Sequence, residues 1–194
     1  MKVSIIGGAT GSGKTTLILK LAKYLNSKGE KIGVIVQETG EVDYDEKTLT
    51  ELGIKTREVN SVCIPCSLDT DIRSNLLTIQ EEFNPDTVFI EAEETVLPHK
   101  LKADLERMEL ADVELLPSVV LVDSLDFETE EDQLTEYVRK QTSGAEIVCI
   151  GKIWLDTNEH SDAVSKLVRN LNPEAKIAFY PENDYESFPA ELLE

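Results

Sequence analysis

Three stretches of this chain carry residues whose types and spacing can do chemistry. The first is GGATGSGKTT at residues 7–16, where Gly8, Gly13, Lys14 and Thr15 stand at the spacing of a phosphate-binding loop between an apolar run and a helix-period segment. Glycines let backbone N–H groups turn inward around phosphate oxygens, and the following helix adds its positive end. Lys14 bridges the terminal phosphates and Thr15 offers a hydroxyl to Mg²⁺. Gly8, Gly11, Ser12, Gly13, Lys14, Thr15 and Thr16 are therefore expected to hold GTP or ATP with Mg²⁺. The second stretch is VQETGEVDYD at residues 36–45, where Glu38 and Glu41 flank Gly40. A carboxylate there can hold Mg²⁺ or a transition metal, and its plainer alternative is a solvated acidic loop. The third is SVCIPCSLDTDI at residues 61–72, with Cys63 and Cys66 at CxxC spacing just before a helix-period segment. Thiolates form easily in such a place and are good soft ligands; the alternative is a pair of thiols that only pack.

These residues need a scaffold, and the apolar pattern supplies one. Short stretches, KVSIIG, KIGVIVQ, KTREVN, DTVFIEA, SVVLVD, AEIVCIG and AKIAFYP, alternate with helical-period segments such as TTLILKLAKYLNSKG, TDIRSNLLTIQEEF and DAVSKLVRNLN. That alternation predicts a three-layer α/β P-loop fold, with a mostly parallel central sheet, in one domain over residues 1–194. In such sheets ligands sit beyond the carboxyl ends of the strands, where all three stretches fall. The acidic DFETEEDQLTEY reads as a helix start with carboxylates near its positive end.

Composition narrows the partners. With 38 acidic and 19 basic residues the net charge is −19, which repels phosphate backbones and anionic lipid. Neither nucleic acid nor membrane is an expected partner. No apolar run approaches the roughly 20 residues of a membrane span, and the N-terminal run passes straight into the glycine loop, so a cytoplasmic location is expected. Three cysteines in such a chain should stay reduced, which leaves metal or redox chemistry open to Cys63 and Cys66 and makes Cys149 a small core residue.

In order and spacing, GATGSGKTTL, VIVQETGEVDYD, VNSVCIPCSLDTDIRSNL, DTVFIEAEET, VVLVDS and LVRNLNPEAKI resemble the CobW/HypB/UreG family of P-loop GTPases that deliver metals. The resemblance implies that Glu38 is the loop carboxylate near Mg²⁺ and the metal, that Glu91 ends the strand of the second switch, and that Cys63 and Cys66 bind cargo. It implies a slow NTPase, a likeness to metallochaperones of zinc, nickel or cobalt, a client metalloenzyme or accessory protein, and a homodimer whose CxxC loops could share four thiolates. An iron–sulfur cluster at a dimer interface, as in reductase-type P-loop activators, is a related possibility.

Two departures from the family pattern stand out. EAEE places Glu94 about where the family has the glycine that senses the γ-phosphate. The guanine-reading loop, NKxD in the family, here reads GKIWLD, with Lys152 kept and Trp154 in the aspartate position. Lys152, Trp154 and Asp156 are the candidate base contacts: Trp154 can stack on either purine, and Asp156 can read guanine if the loop is shifted by two residues. The two histidines, His99 and His160, lie outside any motif, and His99 reads as an exposed loop residue. The competing function class is a P-loop kinase or a cofactor-biosynthesis protein of the molybdopterin-guanine-dinucleotide adapter type, which residues 7–36 also resemble. A third is a binding module whose switches have decayed.

Overall fold

Apolar runs rich in Val and Ile, buried on both sides, become the strands of one sheet. The computed structural model describes residues 1–37, 54–58, 68–183 and 186–193. Glu38, Gly40, Glu41, Cys63 and Cys66 lie outside the described residues. The strands are β1 (Lys2–Gly8), β2 (Ile32–Val36), β3 (Ile54–Glu58), β4 (Thr87–Glu91), β5 (Glu114–Leu115), β6 (Val119–Asp123), β7 (Ile147–Gly151) and β8 (Lys176–Phe179). Their order is β3-β2-β4-β1-β6-β7-β8, with the short β5 pairing with β1 off that path, and every pairing is parallel. Every residue of β2, β4, β6 and β7 is buried, as helices on both faces require.

Alternate strand residues feed opposite layers. Helix α1 (Lys14–Ser27) turns Leu17, Ile18, Leu21, Ala22 and Leu25 onto Ile6, Val34, Phe89 and Leu121, and α6 (Ser187–Leu193) adds Phe188 and Leu192 on that side. Against the other face, α2 (Leu68–Phe83) and α3 (Pro98–Arg107) bring Ile72, Leu76, Ile79, Leu101 and Leu105 onto Val3, Ile5, Ile35, Val88 and Ile90. Farther along it, α5 (Asn158–Leu171) covers Val120, Val122, Val148 and Ile150 with Val164, Leu167 and Val168. Cys149 is fully buried among the α1-side residues, where burial pushes its thiol far above the ordinary range and keeps it inert.

The chain leaves β1 toward β2 on one side and later crosses to β6 on the other, so β1 lies at the point where the strand order reverses. The glycine loop that follows β1 is thereby flanked by the ends of β4 and β6. Gly8 has φ +142°, and a Cβ on it would stand 2.5 Å from Leu121 O and 2.8 Å from Ser12 Oγ; Gly13 caps α1 at φ +97°. Both positions require glycine.

Two segments differ from their sequence-based expectation. DFETEEDQLTEY starts a helix only in its last three residues: it first holds a 3₁₀ turn at Glu131–Gln133, and helix α4 (Glu136–Gly144) begins after Thr135, whose hydroxyl accepts from Val138 N at 3.3 Å. A capping hydroxyl, rather than the carboxylates before it, sets the helix start. His99 is not on an exposed loop either. It sits half-buried in the first turn of α3 with its ring against Gly144, where burial, with the Lys100 charge adding to it, lowers its pKa.

Gly8→Ala should lower stability by about 1–3 kcal/mol, since the left-handed backbone and the close Leu121 carbonyl both oppose a methyl group. Urea unfolding measures it; an unchanged midpoint would contradict the close packing at Gly8.

Candidate nucleotide and metal site

Three backbone turns converge at the carboxyl end of the sheet, and the glycine loop is the innermost. Lys14, only 4% exposed, donates from Nζ to Gly8 O at 3.1 Å and to Ala9 O at 3.2 Å, so its charge is held inside the curve of the loop. Thr15 lies in the first turn of α1, and its hydroxyl donates to Glu91 Oε1 at 2.6 Å. Both residues are buried, and Glu91 is the last residue of β4, paired in register with Ile6 of β1. The structure thus brings together Thr15 and Glu91, which the sequence separates by 76 positions. A hydroxyl and a carboxylate side by side are hard oxygen donors of the kind Mg²⁺ takes beside nucleotide phosphates, so this pair fits that ion.

Beyond the end of β4, Glu94 reaches back to the loop. Its Oε2 accepts from Thr10 Oγ1 at 2.7 Å and from Thr10 N at 3.3 Å. These two bonds, the hydroxyl foremost, hold its carboxyl below the usual range against a slight opposing effect of burial, and the Lys14 charge helps.

On the other flank lies a cavity of about 460 Å³. Ser12, Gly13 and Thr16 form its phosphate-loop side, and Gly151, Lys152, Trp154 and Tyr180 stand opposite. Lys152 has φ +57°, donates from Nζ to Gly11 O at 3.3 Å and forms an ion pair with the buried carboxylate of Asp123, the last residue of β6. It ties this turn to the glycine loop. Trp154 is 38% exposed and meets Tyr180 edge-on, with ring centroids 6.1 Å apart at 84°. Beneath Tyr180, Lys20 Nζ lies 4.4 Å from the ring centroid and donates to Pro181 O and Glu182 O. Asp156 does not line this cavity. Its carboxylate meets His160 Nδ1 at 2.8 Å and Thr157 N at 2.7 Å, at the start of α5; burial pushes its pKa up, but those bonds outweigh it and lower the net value.

Sequence reasoning missed Thr10, Asp123, Lys20 and Tyr180. Asp123 and Tyr180 each end or follow an apolar run, the one signal that could have drawn attention to them. Among the described residues, no three or more His, Cys, Asp or Glu side chains gather as a metal site; Cys63 and Cys66 lie outside those residues.

A parallel sheet with a glycine loop at its reversal point, a buried loop lysine and a hydroxyl–carboxylate pair define a P-loop nucleotide-binding protein. Residues 2–179 match the CobW/HypB/UreG nucleotide-binding domain, and the chain belongs to that family. It is 29% identical over 168 residues to the zinc chaperone YeiR of Escherichia coli (strain K12), covering 85% of this chain and 50% of that protein. It is 26% identical over 216 residues to the zinc-regulated GTPase metalloprotein activator 1 of Dictyostelium discoideum, covering 91% of this chain and 45% of that one. The chain therefore spans about half the length of these relatives. The crystal structure of HypB from Helicobacter pylori in complex with nickel shares the fold, with a TM-score of 0.69 at 19% identity over 98% of this chain and 85% of that chain.

If the cavity holds the base, Trp154→Ala should weaken nucleotide binding by about 1–3 kcal/mol, the usual loss when an aromatic stacking partner is removed. Wild type should prefer GTP over ATP by no more than about tenfold, or roughly 1.4 kcal/mol, because Trp154 stands where an aspartate would read guanine. Titration of both proteins with GTP and ATP analogues checks this; an unaffected mutant or a strong guanine preference would place the base, or its reader, elsewhere.

Proposed function

We propose that this chain is a nucleotide-dependent metallochaperone or maturation factor, which binds a transition metal through Cys63 and Cys66 and passes it to a client metalloenzyme or accessory protein. The observation that carries the reading is the buried Thr15–Glu91 hydrogen bond, which joins the phosphate loop to the strand leading into the second switch. Family membership and the CxxC spacing supply the metal half of the reading. The curated relatives named above are a zinc chaperone and a zinc-regulated activator, and the similar HypB structure holds nickel, so zinc and nickel are the first cargo to test, with cobalt next.

Nucleotide phosphates enter the curve of residues 8–16, where Lys14 Nζ exchanges loop carbonyls for phosphate oxygens. Thr15 and Glu91 would hold Mg²⁺, which would supply charge neutralisation to the terminal phosphates. Glu38, two positions past the end of β2 in the sequence, is the proposed carboxylate between nucleotide and cargo. Nucleotide binding repositions the Glu38 segment and the one after β4, which changes geometry at Cys63 and Cys66; slow hydrolysis then releases the metal. Two thiolates make half of a tetrahedral site, so a homodimer that pairs two CxxC segments is the proposed metal-loaded form.

Two substitutions test the halves separately. Lys14→Ala should abolish triphosphate binding in isothermal titration while leaving the circular-dichroism spectrum and melting temperature nearly unchanged, and undiminished affinity would overturn the phosphate-loop assignment. Cys63→Ser with Cys66→Ser should remove bound zinc or nickel, and any metal-dependent dimer, with nucleotide affinity unchanged. Because thiols must lose their protons to ligate metal, wild-type metal affinity should fall as pH drops below the thiol range. A double variant that binds metal as tightly as wild type would move the kinase or cofactor-biosynthesis alternative ahead.

A further inference from the structure

The Glu94 side chain occupies donors that a phosphate would also need. Thr10 lies between Gly8 and Gly13, inside the loop whose N–H groups cradle phosphate oxygens, and both of its donors go to one oxygen of Glu94. A carboxylate oxygen and a phosphate oxygen have the same charge sign and the same acceptor chemistry, so they compete for those donors and repel each other at contact. We propose that Glu94 is a built-in competitor of the terminal phosphate: it occupies Thr10, makes the site favour nucleoside diphosphate over triphosphate, and must be displaced when the third phosphate binds. This rests on the nucleotide-binding reading of the glycine loop.

The surroundings turn a side-chain displacement into a signal. Gln141 of α4, 1% exposed, donates from Nε2 to Glu94 O at 2.9 Å and to Val96 O, clamping the main chain on which Glu94 rides. Ala92 N donates to Ile6 O at 2.9 Å. Pro98, the first residue of α3, packs so closely on Gly7 that a Cβ there would stand 2.3 Å from Pro98 Cγ. Residues 92–98 are thus bound to β1, α3 and α4 at once. Once displaced from Thr10, Glu94 either swings its side chain alone or pulls on the Gln141 clamp, and in both cases phosphate-chain length is felt directly at the segment joining β4 to α3.

The test compares wild type, Glu94→Gln and Glu94→Ala by fluorescence titration with GDP and with a non-hydrolysable GTP analogue, both with Mg²⁺. Removing a latch closed about nine-tenths of the time should tighten triphosphate binding about tenfold with little change for GDP, and Glu94→Gln, which keeps an acceptor but no charge, should fall between. An unchanged ratio of triphosphate to diphosphate affinity in both variants would overturn the competitor role, as would selective loss of triphosphate binding, which would make Glu94 a supporting ligand. Wild type that binds GDP while the ratio stays fixed overturns this inference alone. Wild type that binds neither nucleotide overturns the nucleotide-binding reading as well.

Discussion

A phosphate-binding loop crowds backbone N–H groups and a lysine into a nearly closed curve, and each of those donors demands an acceptor. Much of the site is arranged around that demand. Lys14 is satisfied by the carbonyls of Gly8 and Ala9, Thr15 by Glu91, and Thr10 by Glu94. Two of these four acceptors come from the end of β4 or just beyond it, which is adjacent to the loop only because β4 pairs with β1. The strand order is therefore a condition of the site's electrostatics, and the glycine conformations at residues 8 and 13 are a condition of the loop's shape.

The opposite flank obeys the same logic with different partners. Lys152 is anchored by Gly11 O and by Asp123, so the β7 turn is tied to the glycine loop by a hydrogen bond and to the end of β6 by a half-buried ion pair. That anchor holds Trp154 and Tyr180 at the rim of the cavity. An aromatic wall is tolerant of base identity where a carboxylate would not be, because every purine presents a π face and only guanine presents the paired N–H groups that an aspartate reads.

The scaffold was legible in the sequence because a sheet covered on both faces writes continuous apolar runs, and α1 writes its buried residues at one face's spacing. The two-residue β5 left no such trace, since two residues have no period. The acidic segment does run into α4, but its carboxylates do not mark the first helical residue, because the Thr135 cap near its end decides where this helix begins. The loop residues of the site were legible from local spacing. The contacts that distinguish this chain were not: Thr10 with Glu94 and Lys152 with Asp123 lie 84 and 29 positions apart, and only the sheet's topology makes them neighbours. Glu94 was conspicuous as a charge beside phosphate, but its partner could not be read from its neighbours in the chain.

The claim most central to this picture is that metal is held by Cys63 and Cys66. X-ray absorption at the zinc edge, on reduced protein loaded with one zinc per dimer in the presence of nucleotide, addresses it directly. Thiolate ligation should give a sulfur shell at about 2.3 Å, whereas a shell of nitrogen and oxygen alone at about 2.0–2.1 Å would contradict it.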